Sequence, residues 1–247
     1  MGRSSSADCS SPTASKTACE GRAIRAMVAS ERTRTTPTEG ESAVAVLRWQ
    51  DEQRVAAVLA RAFVNDPLVM AICDASGPER QERMRWSFRI AVRSHCLGRQ
   101  PAWTVVGADG EPWSVVLVTR ARQPLPPQSD MLFALRGLLH VGMRTALRGV
   151  KAAQVIATHA PPEPFTYLRT LGVDPDCQRR GMGSQLVQQV IRASPPALPV
   201  YLETAKEENL AFYARHGFAL VGEFLCLGVR VWRLVRPPTA DGVAPPR

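Results

Sequence analysis

The chain has 247 residues, of which 45% are hydrophobic, and it carries a formal net charge of +9 at pH 7. This apolar content is enough for a packed core, and no run reaches the roughly 18 apolar residues that a membrane-spanning helix needs. The arginines are spread along the chain instead of clustering with aromatic residues, so we expect no nucleic-acid partner. Six scattered cysteines without a C-x-x-C pair predict free thiols in a reducing, cytoplasmic compartment, and neither a metal site nor a disulfide framework.

The two ends of the chain differ from its middle. Residues 1–42 are rich in Ser, Thr, Arg and Ala without sustained periodicity, which predicts a disordered tail. Five acidic residues in this stretch argue against a transit peptide, and Met27 is an alternative initiator. A second disordered tail is expected at residues 239–247, which leaves residues 43–238 as the folded domain. The preference for Arg over Lys, with abundant Ala and Pro, is typical of a GC-rich bacterial genome.

The first half of the predicted domain mixes strand and helix patterns. Pro67 is expected to end the first helix, because proline disfavours a helical residue before it. Asp109-Gly110 is a hairpin signal between two strands. The predicted elements, in chain order, are a strand over residues 44–49, an amphipathic helix over residues 51–63, a second helix over residues 79–97, and strands at Ala102–Val106 and residues 112–119.

Residues 120–164 are predicted to form a helical insertion. Three prolines (Pro124, Pro126, Pro127) break the chain, and residues 130–151 then predict one long helix or two short ones, apolar on one side and basic on the other. A helix lying on a membrane surface is one interpretation of this pattern. Glycines weaken an isolated helix here, so we favour a helix packed on the core and expect no membrane partner.

The turn after the predicted strand Thr166–Val173 is the most informative part of the chain. Glycines spaced as Gly181 and Gly183 bring backbone N–H groups close to a phosphate, and the helix that begins there adds partial positive charge. The turn therefore predicts a pyrophosphate-binding loop. No lysine precedes Ser184, as a Walker A loop requires, and Leu186 stands where a dinucleotide fingerprint needs Gly or Ala.

A second motif lies downstream. Residues 199–204 predict a short strand, and a short helix follows from Asn209. Gly217 supplies the left-handed residue that closes this helix, and another apolar strand comes next.

Both motifs resemble those of the GNAT N-acetyltransferase superfamily. Its acyl-CoA-binding signature matches Val173-x-Pro175 followed by Gln178-x-x-Gly181-x-Gly183, and its second hallmark matches Asn209-x-x-Phe212-Tyr213-x-x-x-Gly217-Phe218. Residues 165–236 are also similar to the puromycin N-acetyltransferase branch, whereas the resemblance is faint over residues 63–164. The resemblance to the superfamily implies an α/β (α+β) fold: a mixed, mostly antiparallel twisted sheet of about seven strands, flanked by helices and splayed between strands four and five.

The resemblance also implies a binding site for acetyl-CoA. Backbone groups of the strand ending at Val173 would contact the pantetheine arm, and amides of the following loop would hold the pyrophosphate. The implied cofactor-binding residues are Leu171, Gly172, Val173, Gln178, Arg179, Arg180, Gly181, Met182, Gly183, Ser184 and Asn209. Cys177 lies in this loop, and without an activating base nearby we interpret it as an incidental loop residue.

Two further residues are implied in catalysis. Tyr213 matches the family's general acid, since a phenol with a pKa near 10 suits a departing thiolate; the alternative is a packing role. Glu203 is the candidate base that deprotonates the incoming amine, and its alternative role is an ion pair with Arg169. Asp66 and Glu163 are other candidate bases, and a water relay needs no dedicated carboxylate. His216 is interpreted as a packing histidine.

The implied activity is transfer of an acetyl group from acetyl-CoA to a primary amine of a small molecule, by direct attack in a ternary complex. Methionine and leucine side chains of the 120–164 insertion would then form an adaptable apolar wall beside the acceptor. Two alternatives stay open: a protein lysine or N-terminal acetyltransferase, which needs an open groove, and a catalytically silent acyl-CoA sensor. The chain is expected to be a monomer or a homodimer.

Overall fold

The computed structural model of this protein describes residues 43–108, 110–120 and 131–239. Several predictions fall outside these ranges: the tail at 1–42, all but the first residue of the tail at 239–247, the proline-rich break, and Asp109 of the hairpin. No single helix in the described ranges is long and apolar enough to cross a membrane. The helices Trp49–Ala62 and Pro67–Cys73 pass such a test of length and composition only as a pair, with a bend of 112° between them.

One mixed sheet organises the described part of the chain. Its seven strands lie in the order β1-β2-β3-β4-β5-β7-β6, and every pair is antiparallel except β4 with β5. This confirms the predicted sheet. The strands are β1 Ala43–Val46, β2 Ala102–Val106, β3 Pro112–Arg120, β4 Thr166–Val173, β5 Val200–Thr204, β6 Ala219–Cys226 and β7 Val229–Arg236.

The parallel pair diverges soon after it begins. β4 and β5 pair at only two positions, Thr166 with Val200 and Tyr167 with Tyr201. Beyond them, β4 continues along β3 as far as Val173, and β5 continues along β7. The sheet is therefore splayed between its fourth and fifth strands, as predicted, and beyond Tyr167 the β4 edge facing the gap pairs with none of the described strands.

A β-bulge in β4 lies next to the opening. Leu117 of β3 pairs with Thr170, and Val118 pairs with Leu168, which leaves Arg169 as the extra residue. Bulges bend a strand locally and are common beside active sites.

Helices cover both faces of the sheet. One face packs on Leu186 and Val187, and the other packs on Val55, Leu59 and Val92. Residues of β3 alternate between these two clusters, as expected for a strand buried on both sides. The helices are α1 Glu52–Ala62, α2 Pro67–Cys73, α3 Gly77–Leu97, α4 Met131–Val141, α5 Met143–His159, α6 Met182–Ala193 and α7 Glu208–Ala214.

The structure corrects two local predictions. Pro67 begins a helix: it occupies the first turn of α2, where its missing N–H costs nothing, and Asp66 caps that turn by accepting from the Val69 N–H at 2.9 Å. Of the two alternatives for residues 130–151, the structure has two helices and not one, and it corrects their predicted end, because the second helix continues to His159. Gly142, with φ of 81°, separates them.

Gly172 allows α1 to lie close to β4. A Cβ atom built at this position would be 2.7 Å from Leu59 Cδ2 and 3.2 Å from Ala62 Cβ. Leu59 is fully buried in the core, so it has little room to move away.

We predict that Gly172→Ala lowers the free energy of unfolding by about 1–3 kcal/mol, because it overpacks the contact between α1 and β4. Gly149→Ala is the control: its Cβ meets only Ile72 at 3.9 Å, and removing a helical glycine should stabilise α5 by about 0.5–1 kcal/mol. Chemical unfolding measures both changes. If both variants changed the free energy of unfolding by the same amount in the same direction, the result would contradict the close contact at Gly172.

Candidate functional site

The turn after β4 is held at both ends. Asp174 accepts a hydrogen bond from the Asp176 N–H at 3.2 Å and pairs with Arg61 of α1. The Gln178 side chain donates to the Val173 carbonyl at 3.3 Å. These contacts fix the turn to the end of β4 before α6 begins.

Backbone N–H groups are available at the start of α6. Gly181 is the N-cap in a left-handed conformation, with φ of 81°, and no side chain caps the helix. The first N–H groups of a helix have no partner within it, and the helix end carries partial positive charge. Arg179 also has a positive φ, of 63°. The turn therefore has the features of an anion-binding site.

A cavity of 570 Å³ opens between this turn and α7, which is within the range of about 300–1,000 Å³ that small-molecule sites usually have. Lys206, Arg215 and Phe212 also line it, and sequence reasoning missed all three. Arg180 is not among the lining residues; it donates to the Asp176 carbonyl at 3.1 Å. The other predicted cofactor-binding residues all line the cavity: Leu171, Gly172, Val173, Gln178, Arg179, Gly181, Met182, Gly183, Ser184 and Asn209.

A second cavity, of 170 Å³, adjoins the first. Its walls are mainly apolar, with polar groups contributed by Glu203, Tyr167 and Arg169. Helices α2, α3 and α5 contribute Leu68, Phe88 and Ile156, respectively. The residues common to both cavities are Phe63, Asp66, Leu171, Asn209 and Tyr213.

Tyr213 lies where the two cavities meet. Its ring is buried between Phe212 and Phe218, with ring centroids 5.0 and 5.7 Å away. Burial raises the pKa of its phenol well above the ordinary value, so the hydroxyl stays protonated at neutral pH. No described residue hydrogen-bonds to this hydroxyl, which leaves it available to a ligand.

Glu203 is a buried carboxyl group in the second cavity. Burial is the main reason that its pKa is raised, while the hydroxyls of Tyr167 and Tyr201 and the charge of Arg233 act in the opposite direction. Its Oε1 atom is buried without a hydrogen-bond partner. Glu203 and Arg169, both described, form no ion pair, so the alternative role considered from the sequence is not seen.

The side chains of Asn209 and Asp66 each form a hydrogen bond within the protein. The Asn209 amide donates to Thr204 Oγ1 at 2.9 Å, which ties the start of α7 to the end of β5. Asp66 is buried, which raises its pKa, and its Oδ1 caps α2. Glu163 is exposed and lines neither cavity. His216 Nε2 lies within hydrogen-bond distance of Ser184 Oγ, at 3.1 Å, and the His216 ring packs against Phe212, with ring centroids 5.1 Å apart.

The predicted apolar wall is not built as expected. Leu135, Leu139, Met143 and Leu147 are exposed to solvent. Ile156, beyond the predicted helix, is the residue of α5 that lines the second cavity. Within the described ranges, no group of three or more His, Cys, Asp or Glu side chains is placed to hold a metal ion.

Comparison with known proteins relates this arrangement to a known family. Residues 145–220 match the family model described as acetyltransferase (GNAT) domain. The match includes β4, the anion-binding turn, α6, β5 and α7. The fold is the GNAT fold. The segment that matches the family model therefore contains both predicted motifs and most residues of the two cavities.

Solved structures agree on the fold. A histone acetyltransferase HPA2 and related acetyltransferase from Corynebacterium glutamicum has a TM-score of 0.61 and 21% identity, covering 82% of this chain and 99% of that one. The polyamine N-acetyltransferase of Drosophila melanogaster has a TM-score of 0.56 and 12% identity, covering 79% and 99%. Arylalkylamine N-acetyltransferase 2 of Aedes aegypti has a TM-score of 0.55 and 12% identity, covering 79% and 97%.

The raised pKa of Glu203 predicts a pH-dependent stability. The folded state binds this proton more tightly than the unfolded chain, so the corresponding stability is complete below a pH of about 4.3 and is lost as pH rises through the folded pKa. Glu203→Gln lacks this titration and should gain stability relative to wild type as pH rises.

Thermal unfolding of both proteins across pH measures the effect. Glu163→Gln, at an exposed position, is the matched control and should follow the wild-type profile. A constant difference between Glu203→Gln and wild type at every pH would contradict the burial argument.

Proposed function

We propose that this protein is an acetyl-CoA-dependent N-acetyltransferase that acetylates a primary amine of a small molecule by direct attack in a ternary complex. The observation that carries the proposal is the meeting of two cavities at Tyr213. One has an anion-binding turn at its wall, and the other contains a buried carboxyl group.

The first cavity fits acetyl-CoA. The unpaired edge of β4 offers backbone donors and acceptors to the amide groups of a pantetheine arm, as an exposed strand edge does for a peptide. The uncapped start of α6 suits the pyrophosphate. Gly183 keeps that wall open, since a Cβ there would already be 3.4 Å from the Phe212 ring. Arg179, Lys206 and Arg215 supply positive charge around the same cavity.

The second cavity fits the acceptor amine. The negative charge of ionised Glu203 attracts an ammonium group, and its unpartnered Oε1 can accept a proton from it. A raised pKa makes this carboxylate a stronger base than an exposed one. The deprotonated amine then attacks the thioester carbonyl, and Tyr213 donates its proton to the departing sulfur.

The size of the second cavity favours a small acceptor. Its 170 Å³ lie between helices α2, α3 and α5 and strands β4 and β5, whereas a peptide needs a longer groove. Polyamine and arylalkylamine acetyltransferases with the same fold act on amines of this class, and the similarity of residues 165–236 to the puromycin-type branch supports the same choice.

Release of free thiol from acetyl-CoA tests the proposal. The panel of acceptors contains puromycin, polyamines, arylalkylamines, aminoglycosides and short peptides. We expect turnover with a small amine and none with the peptides. Acetyl-CoA binding without turnover on any acceptor would favour the sensor alternative, and turnover only on peptides would favour a protein acetyltransferase.

Gly183→Glu should lower the affinity for acetyl-CoA by about tenfold or more, because the new carboxylate brings bulk and like charge to the pyrophosphate. Gln188→Glu adds the same charge on an exposed part of α6 and is the control. Titration calorimetry compares the two. Unchanged affinity in Gly183→Glu would remove the turn from the binding site.

Tyr213→Phe should lower kcat by about a hundredfold, in the range found for general acids, and leave acetyl-CoA affinity unchanged. Steady-state kinetics and calorimetry separate the two quantities. Full turnover in Tyr213→Phe would show that another group protonates the thiolate.

Glu203→Gln should slow the reaction most at neutral pH. The deficit should narrow at high pH, where the acceptor amine loses its proton to solvent without help from a base. Glu163→Gln should keep the wild-type rate. A deficit that does not change with pH would assign Glu203 a positioning role instead.

A further inference from the structure

The outward side of α4 and α5 carries a row of large apolar residues. We name this row the outer stripe; each of its members is between 55% and 77% exposed. Its residues are Leu135, Leu139, Met143, Leu147 and Val150. Within each helix they are separated by three or four positions, so they lie on one face.

The inward side of the same helices is packed closely on the domain. A Cβ at Gly137 would be 2.9 Å from Ile90 of α3, and Thr145 and Ala152 are buried. An ordinary surface helix buries its large apolar residues and exposes polar ones. Here small residues occupy part of the buried side while large apolar residues face outward, so packing among the described residues does not account for the outer stripe.

A basic residue follows every member of the outer stripe directly in sequence. Residues 131–159 contain no Asp or Glu. Asp74 pairs with Arg148 at 2.6 Å and with Arg144 at 3.9 Å, so one carboxylate is shared by two guanidinium groups. Glu82 lies 3.7 Å from His140. The basic residues are Arg136, His140, Arg144, Arg148 and Lys151.

We propose that this face of α4 and α5 docks on an anionic lipid surface. Apolar side chains enter the boundary between headgroups and acyl chains, while the neighbouring cations remain among the negative headgroups. In this arrangement the excess cations contact lipid headgroups, and the exposed outer stripe contacts the acyl chains. The proposal departs from the sequence-based expectation of no membrane partner, because the sequence did not reveal which side of these helices faces solvent.

A nucleic acid or a second copy of this chain would match only part of this face of α4 and α5. A nucleic-acid backbone would contact the cations and leave the outer stripe in water. A symmetric dimer through this face would place the cations of one copy against the same cations of the other, since a two-fold contact uses one patch twice. An anionic bilayer matches both the charge and the apolar character.

Co-sedimentation of the full chain with lipid vesicles tests the proposal, and it requires neither acetyl-CoA nor an acceptor. We expect binding to vesicles that contain phosphatidylglycerol and little binding to pure phosphatidylcholine. Added salt should weaken the binding, because it screens the attraction between cations and headgroups.

Two variants separate the apolar and ionic contributions. Leu139→Ser with Leu147→Ser should weaken binding by about tenfold or more, since two apolar side chains no longer enter the lipid. Arg144→Gln with Lys151→Gln should weaken it by about fivefold for each cation removed. All four positions are exposed, so the melting temperature should not change.

Matched controls lie on the face of β6 and β7 that points away from α5, because Phe224, Cys226 and Val231 pack with Ala152 of α5, and Leu225 and Arg230 alternate with them. Leu225→Ser on β6 and Arg230→Gln on β7 change exposed residues of the same types and should bind vesicles as wild type does. Failure of wild type to sediment with anionic vesicles, or unchanged sedimentation of the double Leu variant, would overturn the proposal. So would a dimer, detected by light scattering, that the double Leu variant dissociates; that result would assign the face to a second copy.

Discussion

The candidate site depends on the small number of residue pairs that join β4 to β5, where the two halves of the sheet meet. β4 and β5 meet only at Thr166–Val200 and Tyr167–Tyr201, and each then follows a different neighbour. Because the two strands are parallel, the chain must cross over between them, and α6 makes that crossing. The start of α6 therefore lies at the open end of the gap. The parallel pairing of β4 and β5 thus places the unpaired edge of β4 beside the uncapped start of α6.

Burial has opposite uses for the two ionisable groups of the proposed mechanism. It raises the pKa of Glu203, which strengthens a base, and it raises the pKa of Tyr213, which keeps a proton donor protonated. The helices that enclose these groups come from the half of the chain without a sharp motif. α5 has two roles in this account: Ile156 lines the acceptor cavity, and the opposite side of the helix forms the proposed lipid contact.

Local patterns in the sequence predicted much of the fold, because strand alternation, helix periodicity and the Gly181–Gly183 turn are properties of neighbouring residues. The splay followed from resemblance to a family and not from periodicity. Pro67 was interpreted as a helix end, although an Asp-Pro pair also suits a helix start, as Asp66 shows. The apolar face of α4 and α5 was recognised, but periodicity does not tell which face meets the core. Phe63, Phe212 and Lys206 were missed because only the tertiary fold brings them together.

Amide hydrogen exchange with and without acetyl-CoA tests the central claim most directly, because it locates a ligand along the backbone. The account predicts protection in the turn at residues 178–184 and at the end of β4, residues 171–173, with little change in β1 or β2. Protection at the turn would be expected even for an inactive protein, so this result is independent of the acceptor. Tight binding of acetyl-CoA that leaves both segments unprotected would contradict the account.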